Sequence, residues 1–217
     1  MNLSVIMEYI FPPRCAVCGV VTKPGIYLCK SCGDKIPRLE EKRILRIPPD
    51  GRIVSCYSPY WYRDEIRSSI LRFKGSHHTE YAKWYGEEIA AYLIRDGKDQ
   101  HSFDVVTSVP LSLSKRNNRG YNQAELIAKE VARRMNLKDQ VMLKKREDHQ
   151  DQHKLSRLER QKNVKGKYSL LRSPRGKRIL LIDDIITTGS TLKECSLVLL
   201  NAGAEKVTCA TVASRLG

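Results

Sequence analysis

Residues 179–191 read Ile-Leu-Leu-Ile-Asp-Asp-Ile-Ile-Thr-Thr-Gly-Ser-Thr, and they say more about the fold than any other part of the chain. The apolar residues at the start predict a buried strand, which leads to two adjacent carboxylates, Asp183 and Asp184. A hydroxyl-rich turn follows, and the apolar pattern of residues 192–200 predicts a helix. The run therefore indicates a strand, a turn and the start of a helix.

The predicted turn has the chemistry of a phosphate site. Backbone N–H groups at a helix N-terminus lack an intrahelical partner and lie at the positive end of the helix dipole, so they favour an anion. Gly189 allows the backbone to approach that anion closely. Further hydroxyl donors are Thr187, Thr188, Ser190 and Thr191.

Asp183 and Asp184 are predicted at the carboxyl end of the strand, where open α/β sheets bind ligands. Two carboxylates would repel a phosphate unless they accept hydrogen bonds from another part of the same ligand. Vicinal ribose hydroxyls donate such bonds. A ribose 5-phosphate therefore satisfies both the acid pair and the turn.

The run 179–191 resembles the phosphoribosyl pyrophosphate (PRPP) motif of type I phosphoribosyltransferases. In that family the acid pair contacts the ribose hydroxyls, and the loop that matches residues 187–191 binds the 5-phosphate. One alternative is an ordinary strand–turn–helix with a Thr or Ser N-cap. Another is a Walker B strand, but the chain has no Gly-x-x-x-x-Gly-Lys-Ser/Thr loop, which disfavours a P-loop NTPase.

Four of the seven cysteines form two Cys-x-x-Cys pairs that ten residues separate. This spacing suits a tetrahedral zinc ion, because each pair directs two sulfurs to one centre and leaves no position open for catalysis. Disulfides and a redox Cys-x-x-Cys are the weaker alternatives. The predicted ligands of a structural zinc ion are Cys15, Cys18, Cys29 and Cys32. The other cysteines are predicted to be small core residues: Cys56, Cys195 and Cys209.

Composition limits the kinds of partner and compartment. The 217 residues carry a net charge of +15, which favours an anionic partner such as nucleic acid or phosphorylated metabolites. No run reaches the 18 or so apolar residues of a membrane span. The first 11 residues predict a short amphipathic helix rather than a signal peptide, because they lack a basic start. We therefore expect a cytoplasmic protein.

The chain divides into an N-terminal helix with a zinc-binding module, residues 1–47, and a main domain, residues 48–217. In the main domain, predicted strands alternate with predicted helices, which indicates an α/β fold with a mostly parallel sheet. The predicted strands are 52–62, 103–109, 141–145, 179–183 and 206–214. The predicted helices are 63–73, 80–94, 121–135 and the one after the turn at 187–191.

Two basic segments add to the candidate site. The loop 110–124 follows another strand end, and its Arg116 and Arg119 offer planar donors to a pyrophosphate, although a solvated basic turn is the alternative. Residues 142–178 carry a net charge of +9 and suit either a lid over a phosphate site or contact with a nucleic-acid backbone. Within them, His149 and His153 have a zinc-like spacing but no evident third ligand.

These features together resemble the ComF family, phosphoribosyltransferase-like proteins linked to DNA uptake in natural competence. The resemblance covers nearly the whole chain, although His149 stands where the family usually has Thr. The matching segments are 15–32, 71–75, 109–111 with Arg116, 119–124, 152–155 with Arg160, 163–164 with Gly166, 183–191 and 201–204. The resemblance implies a type I phosphoribosyltransferase fold, structural zinc, a PRPP site, and a role with single-stranded DNA or a DNA-uptake helicase.

Two functions follow from these observations. In the first, the protein binds PRPP or a related phosphoribosyl ligand and acts with single-stranded DNA or a helicase during transformation. In the second, it is a metabolic phosphoribosyltransferase that moves ribose 5-phosphate from Mg²⁺-bound PRPP to a nitrogen acceptor, where Mg²⁺ bridges pyrophosphate oxygens. Because the sequence reveals no general base and no acceptor pocket, the first function is favoured and catalysis is left open.

Overall fold

The computed structural model describes residues 12–39, 41–48, 51–75, 78–146 and 166–216. The amphipathic helix predicted at the N-terminus lies outside these ranges. So do His149, His153 and the central part of the basic segment, residues 147–165.

A six-stranded sheet forms the centre of the fold, and its strands are β1 (Arg43–Ile47), β2 (Arg52–Tyr57), β3 (Tyr60–Trp61), β4 (Val105–Ser108), β7 (Arg178–Ile186) and β8 (Lys206–Ser214). The order is β1-β2-β8-β7-β4, and β3 also pairs with β8. Among the described residues of this sheet, β1 pairs with β2 in the antiparallel direction and all other strand pairs are parallel. A separate antiparallel pair consists of β5 (Leu143–Lys145) and β6 (Tyr168–Leu170).

Helices cover both faces of the sheet. They are α1 (Lys30–Gly33), α2 (Asp64–Gly75), α3 (Tyr81–Arg95), α4 (Leu113–Arg119), α5 (Gln123–Met135) and α6 (Ser190–Asn201). The predicted fold class, a mostly parallel sheet flanked by helices, is confirmed. Among the helices of the described ranges, none combines the length and the apolar character that a membrane span requires.

Alternate side chains of β7 enter two different cores. Leu180 and Ile182 pack in the core that contains α2, α3 and α5, whereas Ile179 and Leu181 pack on the other face with α6. Successive strand side chains point to opposite faces. A strand buried on both faces therefore reads as a continuous apolar run, as β7 does.

Helices α3 and α5 approach each other at a glycine. A Cβ atom added to Gly86 of α3 would lie 2.4 Å from the Cβ atom of Glu130 and 3.1 Å from the backbone nitrogen of Val131. Only glycine permits this distance, so the two helices are in close contact under the sheet.

The cysteine module packs against the same core. Cys15, Ala16, Val17 and Tyr27 are buried together with residues of α2 and α3. Strand β1, which lies within the predicted N-terminal part, pairs with β2 of the main domain. The division into residues 1–47 and 48–217 stays a prediction.

Several elements differ from the sequence prediction. The strand predicted at 52–62 is interrupted after Tyr57, and Pro59, which has no N–H to donate, stands in the gap before β3. The loop predicted at 110–124 contains α4, and β7 continues past the acid pair to Ile186. Strands β1 and β6 were not predicted. The buried positions of Cys56, Cys195 and Cys209 confirm their prediction as core residues.

Candidate functional site

The turn between β7 and α6 is open to solvent and is built around one glycine. Gly189 has a φ of 75° and is the N-cap of α6. A side chain there would be strained by this left-handed φ, and its Cβ would lie 3.1 Å from Leu45. Thr187, Thr188 and Ser190 are exposed beside it. The turn therefore presents hydroxyl groups next to the N-terminus of α6.

Two of these hydroxyl groups already contact each other. The Oγ1 atom of Thr188 lies 3.1 Å from the Oγ atom of Ser190 and 3.4 Å from its backbone nitrogen. Thr191 is partly buried in the first turn of α6. Together with Asp183, residues 185–192 line one small cleft. The predicted phosphate-binding residues are therefore in one place, beside the first carboxylate.

Asp183 is partly buried on the α6 side of the sheet. Desolvation, and then the charge of Asp184, raise the pKa of Asp183 to about 8, while Lys74 and a bond from the Asp184 N–H oppose that rise. The Asp184 backbone nitrogen donates to the Asp183 carboxylate at 2.9 Å. The charge of Asp183 also contributes to the raised pKa values of Cys195 in α6 and Tyr168 in β6, which places it near both.

Asp184 points to the opposite face. Its carboxylate forms an ion pair with Lys74, at the end of α2, at 2.7 Å. The side chain of Asp184 is 13% exposed and that of Lys74 is 20% exposed, so the pair is largely shielded from water. Adjacent residues of a strand point to opposite faces, which explains why the two carboxylates separate. Both retain partial solvent access.

Lys74 was not assigned a role from the sequence, although it lies in one of the segments that match the ComF family. The position of a lysine just before a glycine at a helix end carries no specific chemical signal. Its role depends on a contact across 110 positions of the sequence, between the end of α2 and the end of β7.

Residues 110–124, the arginine segment, lie at the same edge of the sheet, because β4 pairs in parallel with β7 and Ser108 is opposite Ile182. After β4, the chain forms α4, which carries Arg116 and Arg119. The side chain of Asn122 donates to the Val109 carbonyl at 3.0 Å, and this bond ties the two ends of the segment together.

Both arginines are held by the first turn of α5. Arg116 lies 3.5 Å from the carboxylate of Glu125, and Arg119 donates to the side-chain oxygen of Gln123 at 3.2 Å. Arg116 is 55% exposed, so its ion pair leaves the guanidinium accessible to an anion. The predicted pyrophosphate donors are thus on a short helix rather than an irregular loop.

The four predicted zinc ligands converge. The sulfur atoms of Cys15, Cys18, Cys29 and Cys32 all lie within 4.8 Å of one another. The distance between the sulfurs of Cys18 and Cys29 is 3.7 Å. Tetrahedral zinc with Zn–S bonds of about 2.3 Å requires sulfurs roughly 3.8 Å apart, so the cluster fits this ion. All four thiols are free of disulfides.

Known protein families match both the cysteine module and the C-terminal part of the main domain. A phosphoribosyl transferase domain matches residues 122–217, and a double zinc ribbon domain matches residues 6–43. "Competence protein F" of Haemophilus influenzae is 29% identical over 205 residues, which cover 90% of this chain and 82% of that protein. Over nearly its whole length, the chain is similar to proteins of the ComF family.

Two further ComF-type relatives have similar coverage. "DNA utilization protein YhgH" of Escherichia coli is 27% identical over 201 residues, or 89% of this chain and 86% of that protein. "Competence protein ComFC" of Bacillus subtilis is 27% identical over 200 residues, or 87% and 72%. The family resemblance noted in the sequence is thus confirmed, and the zinc ribbon match with the cysteine cluster supports structural zinc.

The cysteine cluster predicts a loss of zinc on substitution of one ligand. Cys32→Ser should purify with far less than the roughly one equivalent of zinc expected for a four-thiolate site, and it should unfold at a lower temperature. Metal analysis of the purified protein measures the first effect and thermal unfolding the second. Cys195→Ala, which removes a buried thiol outside the cluster, is the control and should keep its zinc. Full zinc in Cys32→Ser would contradict a four-cysteine site.

The pKa of Asp183 predicts a pH-dependent loss of stability. Because that pKa is raised to about 8 in the folded protein and is about 3.9 in an unfolded chain, the folded state keeps a proton that the unfolded state releases between these values. The contribution of Asp183 to stability therefore falls as the pH rises from about 4 to about 8.

Asp183→Asn should remove this fall. Urea unfolding at about pH 5 and about pH 8 measures it, as the difference between the two midpoints. Glu205→Gln changes an exposed residue at the opposite end of the sheet, so it should show the same difference between the two midpoints as the wild-type protein. Equal pH dependence in wild type and Asp183→Asn would show that Asp183 is ionised at both pH values.

Proposed function

We propose that this protein is of the ComF type and binds a phosphoribosyl ligand, with PRPP as the reference compound, at the edge of the sheet where β4 and β7 end. The observation that supports this most strongly is the juxtaposition of Asp183 with the exposed hydroxyl turn in one cleft. An acceptor of hydrogen bonds stands there beside a set of donors, and a ribose 5-phosphate has the matching groups. The parallel register of β4 and β7 brings the arginine segment to the same edge.

Each part of the site has a role in the proposal. Residues of the turn hold the 5-phosphate through hydroxyl and backbone N–H groups: Thr187, Thr188, Gly189, Ser190 and Thr191. Asp183 and Asp184 accept hydrogen bonds from the ribose hydroxyls. Arg116 and Arg119 donate to the pyrophosphate, and Mg²⁺ would supply positive charge between its oxygens while it keeps several waters.

A role with DNA is the second part of the proposal. The net charge of +15 suits a polyanionic partner, and the relatives carry the names competence protein and DNA utilization protein. We propose that the chain acts in the cytoplasm on single-stranded DNA, with a DNA-uptake helicase as partner. The basic segment, residues 142–178, is the proposed contact with the DNA backbone.

A half-buried aromatic residue, Trp61, supports a single-stranded partner. The guanidinium groups of Arg43 and Arg63 lie 5.1 Å and 5.0 Å from the centre of the Trp61 ring in β3. Aromatic rings combined with cations suit unpaired bases, which expose their faces for stacking. Tyr57 and Tyr60, which stand close to Trp61 in the sequence, are buried and belong to the core.

The alternative function is a metabolic phosphoribosyltransferase with a nitrogen acceptor. It uses the same PRPP site, so binding alone does not distinguish the two. Release of pyrophosphate in the presence of candidate acceptors does, because only the transferase breaks the bond to pyrophosphate. PRPP binding without pyrophosphate release in the presence of any tested acceptor would support the first function.

The site predicts that loss of either carboxylate weakens PRPP binding. Asp184→Asn should lower the affinity for Mg²⁺-PRPP roughly 10- to 100-fold, since hydrogen bonds to charged groups contribute about 1.5–3 kcal/mol. Asp183→Asn should lower it by less, about 2- to 10-fold, because the Asp183 carboxyl keeps its proton below about pH 8 and a neutral hydrogen bond contributes about 0.5–1.5 kcal/mol. Isothermal titration calorimetry measures the affinity. Glu205→Gln, which removes a distant exposed carboxylate, is the matched control and should bind normally. Wild-type affinity in both Asp variants would reject the acid pair as a ribose site.

The basic segment predicts salt-dependent DNA binding. Fluorescence anisotropy with a labelled oligothymidine should show an affinity that falls steeply between about 50 and about 200 mM salt. Changing Arg157 and Arg160 together to Gln should make the logarithm of the affinity depend less steeply on the logarithm of the salt concentration. The decrease in slope should match the loss of about two phosphate contacts. The control changes Arg133 and Arg134, exposed on α5, to Gln and should leave the slope intact. An affinity independent of salt would remove backbone contact from the proposal.

A further inference from the structure

The last turn of α2 contacts three functional regions through three consecutive residues. Arg72 donates from one guanidinium nitrogen to the carbonyl oxygens of Ala16, at 2.8 Å, and Val17. These carbonyls belong to the turn between Cys15 and Cys18. The end of α2 is thus hydrogen-bonded directly to the backbone that presents two of the zinc ligands.

The next residue, Phe73, fixes the position of this helical turn. Its ring is buried between Tyr85 and Tyr121, with centroid distances of 5.3 and 5.9 Å. The Tyr121 hydroxyl donates to the Phe73 carbonyl oxygen. Because Tyr121 directly follows α4 and its C-cap Gly120, the end of α2 is also tied to the arginine segment.

The third residue, Lys74, forms the ion pair with Asp184 at 2.7 Å. Residues two apart in an α-helix lie about 200° apart around its axis, so Arg72 and Lys74 point in nearly opposite directions. One helical turn therefore spans the distance from the cysteine turn to the acid pair. A shift of the helix that breaks one contact also moves the other.

We infer that the segment Arg72–Lys74 couples the zinc site to the phosphoribosyl site, with Lys74 as a positioning residue that orients Asp184. Four thiolates bound to zinc hold the Cys15–Cys18 turn in the shape that presents its carbonyls to Arg72. Arg72 then holds the end of α2, and Lys74 holds the carboxylate of Asp184 towards the ligand. This inference rests on the proposed PRPP site.

Coupling between two sites is reciprocal in free energy: if zinc favours the ligand, the ligand favours zinc by the same factor. The zinc affinity therefore reports on the acid pair at the other end of the helical turn. This readout does not depend on catalysis, and a merely structural role of Lys74 would not produce it.

The test is a competition titration for zinc with a chromogenic chelator, with and without saturating Mg²⁺-PRPP. Wild-type protein should bind zinc about 5-fold or more tightly when PRPP is present, the lower end of typical coupling. Arg72→Met and Lys74→Met should abolish this difference, and Lys74→Arg, which keeps the charge, should restore part of it. Arg67→Met removes the same charge from an exposed position of α2 and should keep the wild-type difference.

Calorimetry with PRPP on the same samples separates the two hypotheses. If wild-type protein binds PRPP and its zinc affinity does not change, the coupling is wrong and the proposed PRPP site stands. If wild-type protein does not bind PRPP, both are wrong. If Lys74→Met fails to fold, as judged by circular dichroism, Lys74→Gln and Arg72→Lys replace the Met variants, and retention of the full difference in both would overturn the coupling.

Discussion

The parallel pairing of β7 with β4 on one side and β8 on the other is the constraint on which the rest of the molecule depends. It brings the carboxyl ends of β4 and β7 to one edge, so that the hydroxyl turn and the arginine segment become neighbours although some 70 residues separate them. It also buries β7 on both faces. The acid pair is then the point where a fully buried strand meets solvent.

The burial of that strand explains the chemistry of the acids. Asp183 continues the α6 face, where desolvation acts on a carboxylate with few compensating partners, and its pKa rises. Asp184 continues the other face, where Lys74 supplies a counter-charge. Neighbouring residues of the same type thus have different electrostatic environments, because a strand presents them to different layers of the protein.

The sequence was sufficient for those features that local pattern determines. Residues 179–191 predicted the strand, turn and helix start, and β8 agrees with its predicted bounds, because apolar periodicity and turn residues act over short distances. Cysteine spacing predicted the cluster for the same reason. Strand alternation also places Asp183 and Asp184 on opposite faces, so their separation is a local property of β7.

The remaining features depend on contacts between distant segments. Strand β1 depends on its pairing with β2 at the edge of the sheet. Helix α4 has only seven residues, and its sequence also has the composition of a basic loop. Arg72 and Lys74 look alike in the sequence as cations at a helix end. Their different partners, the Ala16 carbonyl and the Asp184 carboxylate, follow only from the packing of α2 between two parts of the fold.

The close contact at Gly86 means that a substitution far from the ligand site can still disturb it. Helix α5 supplies the partners of both arginines, and it rests against α3 at Gly86, where a methyl group has no room. A change of Gly86 to alanine would displace the support of the arginine segment without altering any group that meets a ligand. A single methyl group, added on the side of α3 that faces α5, would therefore disturb the position of the arginine segment.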